Sequence, residues 1–156
     1  MIPGKFHWSL FITDDKGVAT RLQWKENISP GIPVVQAEIY SVDKVDPVTE
    51  ITEGNHMSIV FFKFCAFNPL TNFDYNAALS RIFPAGYSTI NANREHNLTC
   101  RTWLLAALQI LRQYRLIRLS ESQIAGLEAK IISTGLEEEV RFSNQGSLFK
   151  TPVKEL

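Results

Sequence analysis

The chain has 156 residues, of which 45% are hydrophobic, and its 16 basic and 16 acidic side chains give a formal charge of zero. That length and apolar fraction suit one domain over residues 1–156 with its own core. The balanced charge argues against a broadly basic nucleic-acid surface and against an acidic disordered chain. No apolar run approaches the roughly 18 residues of a membrane-crossing helix. The start lacks the charged, apolar and small-residue succession of a secretion signal, so the expected compartment is the cytoplasm, where thiols stay reduced.

His7 to Thr13 is rich in aromatic and β-branched residues and reads as a strand, with Val18 to Trp24 returning beside it. Asp14-Asp15-Lys16-Gly17 is the turn. A three-residue loop closed by a left-handed Gly17 brings His7, Ser9, Arg21 and Gln23 onto one face, and a two-residue loop pairs His7 with Trp24 instead. The first is preferred because Gly17 stands where a positive φ is wanted.

Pro30, Gly31 and Pro33 punctuate a connection to a third strand over Val34 to Val42. The apolar run Met57 to Phe67 reads as a central strand stopped by Asn68-Pro69. Phe73 to Phe83 suggests a short helix, Tyr87 to Ile90 a brief strand, and Asn91 to Thr99 a polar loop. In Cys100 to Tyr114, Trp103, Leu104, Ala107, Leu108 and Leu111 recur at helical spacing, with Thr99 or Asn97 as the cap. Ser120-Glu121-Ser122-Gln123 is a capping-box signature for a helix to about Ile132, ended by Gly135. The tail after Val140 reads as an edge strand or an arm. Strands followed by helices make the expected class α+β, with a core over about residues 5–135 and a C-terminal extension.

Chemistry concentrates on Cys100, at the start of the main helix, and His7, on the first strand. Unsatisfied NH groups and the positive dipole end of a helix favour a thiolate, and a neighbouring imidazole can take the thiol proton and return it to a leaving group. Gln23 is the preferred third residue because the bulged hairpin puts its amide on the His7 face, and Glu38 on the next strand is the alternative orienting residue. The other description of Cys100 is a small buried hydrophobe at a helix start. Trp8 and Trp103 are candidate walls of a substrate pocket, although such aromatics also fill cores. Arg101 is a candidate for recognising an anionic group, and His96, four residues before Cys100, for substrate binding or as the rival base. Cys65 reads as a core thiol and His56 as a turn residue.

Three histidines without convergent carboxylates predict no metal, and the absence of GxGxxG and GxxxxGK predicts no nucleotide cofactor. The implied partner is a small molecule or peptide carrying an acyl group, with nucleic acid disfavoured and the oligomeric state open.

HWSLFI, followed much later by NLTCRTWLLAAL, resembles the permuted NlpC/P60 papain-like superfamily, in particular its lecithin retinol acyltransferase-like branch. It is also similar to a fungal domain family with an HWS beginning and a C-R-x-W element, here Cys100-Arg101-Thr102-Trp103. The resemblance implies a permuted papain-like domain whose cysteine helix packs on an antiparallel sheet, with Cys100 as nucleophile and His7 as base. It departs where that branch carries Glu-His-Phe after the cysteine, and where its second histidine finds no counterpart in Ala19 to Gln23. The expected activity is a cysteine-dependent hydrolase or acyltransferase acting on an amide, ester or thioester. The alternatives are a noncatalytic ligand-binding or interaction domain of the same architecture, and a specialised-metabolism cyclase or transferase.

Overall fold

The computed structural model describes residues 6–14, 16–28, 35–46, 58–64, 67–68 and 72–156. Strands β1 (Ser9–Thr13), β2 (Ala19–Glu26) and β3 (Glu38–Val45) form an antiparallel sheet in the order β1-β2-β3. Short strands β4 (Phe61–Lys63) and β5 (Val153–Glu155) form a separate parallel pair. The helices are α1 (Tyr75–Leu79), α2 (Ile90–Glu95), α3 (Cys100–Gln113) and α4 (Glu121–Gln145), followed by a 3-10 turn at Gly146–Leu148. The α+β class is therefore observed, with the antiparallel sheet against the cysteine-bearing helix α3.

The β1-β2 turn sets the register. Gly17 takes a φ of +83°, its NH donates to the Asp14 carbonyl at 3.2 Å, and the Asp14 NH donates to the Val18 carbonyl at 2.9 Å. The Asp14 side chain accepts from the Lys16 and Val18 NH groups, which closes the loop locally. Ser9 then pairs with Gln23 and Phe11 with Arg21, as the bulged loop requires. Alternation sorts the sheet into two faces. Trp8, Leu10, Leu22 and Trp24 pack into one core with Trp103, Leu104, Ala107, Leu108 and Leu111 of α3. His7, Ser9, Gln23, Ser41 and Asp43 share the other face.

Helix α3 begins at Cys100 because Thr99 and Thr102 cap it reciprocally: the Thr99 hydroxyl accepts from the Thr102 NH at 3.1 Å, and the Thr102 hydroxyl accepts from the Thr99 NH at 3.0 Å. Of the two residues offered as caps, Thr99 does the capping, while Asn97 turns the chain at φ 57°.

Four expectations need correction. Helix α4 starts at the Ser120-Gln123 box but runs through Gly135 to Gln145. Gly135 is a packing site instead of an end: a Cβ there would lie 2.9 Å from the Phe6 ring, so the missing side chain admits Phe6. Beyond it, buried Glu138 binds Arg141 at 2.5 Å and Lys154 of β5 at 3.2 Å, which ties the helix extension to the tail. The Met57–Phe67 run is not a central strand; among its described residues only three are strand, and they pair with the C-terminal segment. Tyr87–Ile90 is not a strand either, since Thr89 caps α2 through the Ala92 NH and the polar stretch behind it is helical. The third strand starts at Glu38 instead of Val34, with Val34 itself outside the described residues.

Candidate functional site

The polar face of the sheet carries a hydrogen-bonded chain that crosses all three strands. Gln23 is buried at the centre of β2, with 4% of its surface exposed. Its Oε1 lies 2.8 Å from His7 Nε2 and accepts from the Ser9 hydroxyl at 3.0 Å. Its Nε2 donates to Asp43 Oδ2 at 3.2 Å, and the same oxygen accepts from the Ser41 hydroxyl at 2.9 Å. The register makes this arrangement, since Gln23 is paired with Ser9 on one side and Ser41 on the other.

This chain has a defined polarity. Asp43 is held ionised below the ordinary carboxylate range: burial opposes that, but the Ser41 hydroxyl, the Lys25 and Arg21 charges and the Gln23 amide outweigh it. Arg21 and Lys25 each place a nitrogen 3.5 Å from Asp43 Oδ2. An ionised carboxylate accepts only, so the Gln23 NH2 must face Asp43 and its carbonyl must face His7. A carbonyl accepts only as well. His7 Nε2 therefore carries the proton, and Nδ1 is left as the basic nitrogen.

His7 is exposed and lies two residues before β1, with Gln23 hydrogen-bonded to its ring. Desolvation and then the Arg21 charge lower its pKa below the ordinary value of about 6.5, against the opposing pull of the Gln23 hydrogen bond and the Glu38 and Glu26 charges. The ring is consequently neutral at neutral pH.

Cys100 is half-buried at the first turn of α3 and packs against the core. Burial pushes its thiol pKa up, the Trp8 and Arg101 backbone NH groups and the Arg94 charge work against that, and Glu38 adds to it. Trp8 is the residue that follows His7 in sequence. No hydrogen bond joins the thiol to the His7 ring among the described residues.

Glu38, the alternative orienting residue, is 3% exposed and has other partners: its Oε2 accepts from Asn93 Nδ2 at 2.9 Å and its Oε1 from Arg94 Nη2 at 3.1 Å. Its charge reaches both His7 and Cys100, but its hydrogen bonds run to α2. Sequence reasoning missed Asn93, Arg94, Asp43 and Ser41. Asp43 and Ser41 follow from extending the same alternation to the third strand, whereas Asn93 and Arg94 lie in a stretch read as loop.

The other sequence candidates lie elsewhere. Trp103 has no exposed surface and Trp8 only 6%, so both are core residues instead of walls of an open pocket. Trp103 stacks at a tilt on Tyr40, with ring centroids 5.7 Å apart. Arg101 pairs with Glu128 of α4 at 3.3 Å. The His96 ring stacks on Tyr87 at 4.4 Å and follows the end of α2. A groove lined by Leu119, Gln123, Leu127 and Leu156 contains none of the sequence candidates. His56 and Cys65 lie outside the described residues. No cluster of metal-ligating side chains occurs among the described residues, and no described helix is long and apolar enough to cross a membrane. Comparisons with protein-family models, with curated proteins and with solved structures return no match.

Proposed function

We propose that the protein is a cysteine-dependent hydrolase or acyltransferase of permuted papain-like architecture, with Cys100 as nucleophile, His7 as base and Gln23 as the residue that orients His7. The observation that carries this reading is the His7-Gln23-Asp43 chain, which leaves Nδ1 of a neutral imidazole as the basic nitrogen. A general base needs a defined tautomer and a pKa below the working pH, and His7 meets both requirements.

In the resting state both groups are neutral, because burial raises the thiol pKa, while desolvation and the Arg21 charge lower that of the imidazole. The thiolate therefore forms by proton transfer at the time of attack. The S–H proton passes to His7 Nδ1, the sulfur bonds to the carbonyl carbon, and the carbonyl oxygen becomes an oxyanion. The Trp8 and Arg101 NH groups beside the sulfur are the available donors to that oxygen. Collapse releases the leaving group with the proton from His7 and leaves a thioester on Cys100, which water or an amine then resolves.

The experiment is acyl trapping. The purified chain is mixed with p-nitrophenyl acetate and with an acyl thioester, quenched in acid and read by peptide mass spectrometry. The expected result is an acyl group on the Cys100 peptide of the wild type, none on Cys100→Ala, and a strongly slowed reaction for His7→Ala. A wild-type protein that carries no adduct, or carries it equally in His7→Ala, overturns the reading. A noncatalytic domain is favoured by one observation, the thiol that burial keeps protonated, and it predicts the first of these two negative results.

A further inference from the structure

The segment that follows α4 folds back along that helix. Gly146 caps α4 at a φ of +54°, a region that residues with a side chain avoid. Beyond it Phe149 meets Phe142 edge to face at 5.5 Å, Lys154 meets Glu138 at 3.2 Å, and Leu156 lines the groove with Leu119 and Leu127. These partners step from the last turn of α4 towards its start, so residues 149–156 track the helix in reverse. On its other side the segment is β5, whose register sets Val153 beside Phe61 and Glu155 beside Lys63. The Phe61 NH donates to the Pro152 carbonyl at 3.0 Å, the Leu156 NH to the Lys63 carbonyl at 2.9 Å, and the Thr151 hydroxyl to the Ser58 carbonyl at 2.7 Å. Main-chain bonds on one side and anchored alternate side chains on the other are the features of strand addition, here made within one chain.

Separation costs the two sides of this contact unequally. None of residues 149–156 is fully buried and all of β5 is exposed, so the arm loses little apolar burial when it leaves. The acceptor loses more. Glu138, 2% exposed, is deprived of one of its two cationic partners, β4 of the strand paired with it, and the groove of Leu156. An emptied acceptor is therefore refilled, by its own arm or by an identical one. We propose that residues 149–156 are an exchangeable arm, and that their docking surface on β4 and α4 is an interface for the same arm of a second copy of this chain, giving a strand-swapped dimer. Exchange keeps every arm contact, because the same residues meet, and only the hinge changes conformation. A helical φ at Gly146 lets α4 continue past Gln145 and carries the arm away from its own body. Exposed apolar residues gather along this path: Leu136 and Val140 on the second half of α4, Leu148 in the hinge turn and Val153 on the arm. A second copy whose arm crosses there is the occupant that brings protein surface against them.

The test equilibrates nitrogen-15-labelled and unlabelled full chain at high concentration and separates monomer from dimer by size exclusion. Each fraction is then treated with a zero-length carbodiimide, which joins Lys154 to Glu138, and the joined peptides are read by mass spectrometry. The dimer is expected to hold mixed labelled and unlabelled Lys154–Glu138 pairs in statistical proportion, and the monomer none. Gly146→Ala is strained only while the arm folds back, so it is expected to dimerise at about tenfold lower protein concentration than the wild type, again with the cross-link between copies. If Gly146→Ala does not fold, the wild type refolded from urea at high concentration supplies the same readout. Chains that remain monomeric at every concentration, Gly146→Ala or the refolded wild type included, overturn the proposal. A dimer whose Lys154–Glu138 pairs are all unmixed overturns it too, because its copies then associate through another face with both arms closed. The readout involves neither Cys100 nor His7, so its failure leaves the acyl-transfer reading untouched.

Discussion

Gln23 faces His7 with its carbonyl at 2.8 Å, and it does so because its amide nitrogen is committed to Asp43 at 3.2 Å. A carboxylate on the third strand thereby determines which nitrogen of a histidine just before the first strand is basic, without touching it. The relay needs an amide at position 23, since an acid there would set two carboxylates against each other and an apolar residue would leave His7, Ser9 and Asp43 without their shared partner.

Gln23→Ala should lower unfolding stability by about 1–3 kcal/mol, the range for losing hydrogen bonds at a buried site, as measured by urea denaturation. It should also release the His7 tautomer. Nitrogen-15 NMR of the wild type should show protonated Nε2 and bare Nδ1, and the variant should show a mixture. A wild-type ring protonated at Nδ1 would refute the assignment.

Two pH effects follow from the same network, and both point the same way. Asp43 titrates below its unfolded value of about 3.9, so its contribution is present above that pH and is lost as pH falls through the lower folded value. His7 also titrates below its unfolded value of about 6.5, so the folded state resists protonation and loses stability as pH falls from there through the folded value. Urea midpoints should be level above about pH 7 and decline in two steps on acidification, the first absent in His7→Ala and the second weakened in Asp43→Asn.

Trp103 tests core against pocket. Trp103→Ala should cost about 3–5 kcal/mol as a large-to-small change in a packed core, read by thermal or urea denaturation. Trp103→Phe keeps most of the volume and removes an indole NH that has no partner among the described residues, so it should cost much less and leave Cys100 alkylation unaltered. Loss of alkylation in the folded Phe variant would show that the indole takes part in the site.

Gly86 packs closely against the backbone of Glu38. A Cβ there would lie 2.5 Å from the Glu38 carbonyl oxygen and 3.2 Å from the Trp24 ring, and neither can swing away. Gly86→Ala should destabilise by about 1–3 kcal/mol through overpacking. Gly126→Ala, where a Cβ meets nothing within 4 Å, should be neutral or stabilising because alanine favours a helix interior by about 1 kcal/mol. Equal melting temperatures for the two variants would contradict this packing.

Local chemistry in the sequence was enough for the hairpin register, the face shared by His7, Ser9, Arg21 and Gln23, the start of the cysteine helix at Cys100 with its cap narrowed to Thr99 or Asn97, and the start of the last helix at Ser120. Each depends on a few adjacent residues: a glycine with positive φ, a strand alternation, a capping threonine or asparagine, and one capping box. What required the folded chain involves residues far apart in sequence. Helix α4 continues past Gly135 because Phe6 fills the gap and Lys154 meets Glu138, and β4 exists where residues 153–155 run beside it. The polar stretch after Tyr87 becomes helix because Glu38, some 55 residues away, supplies the buried partner for Asn93. Burial decides the rest: alternation and helical spacing put Trp8 and Trp103 on apolar faces, but only the closure of those faces on each other made them core.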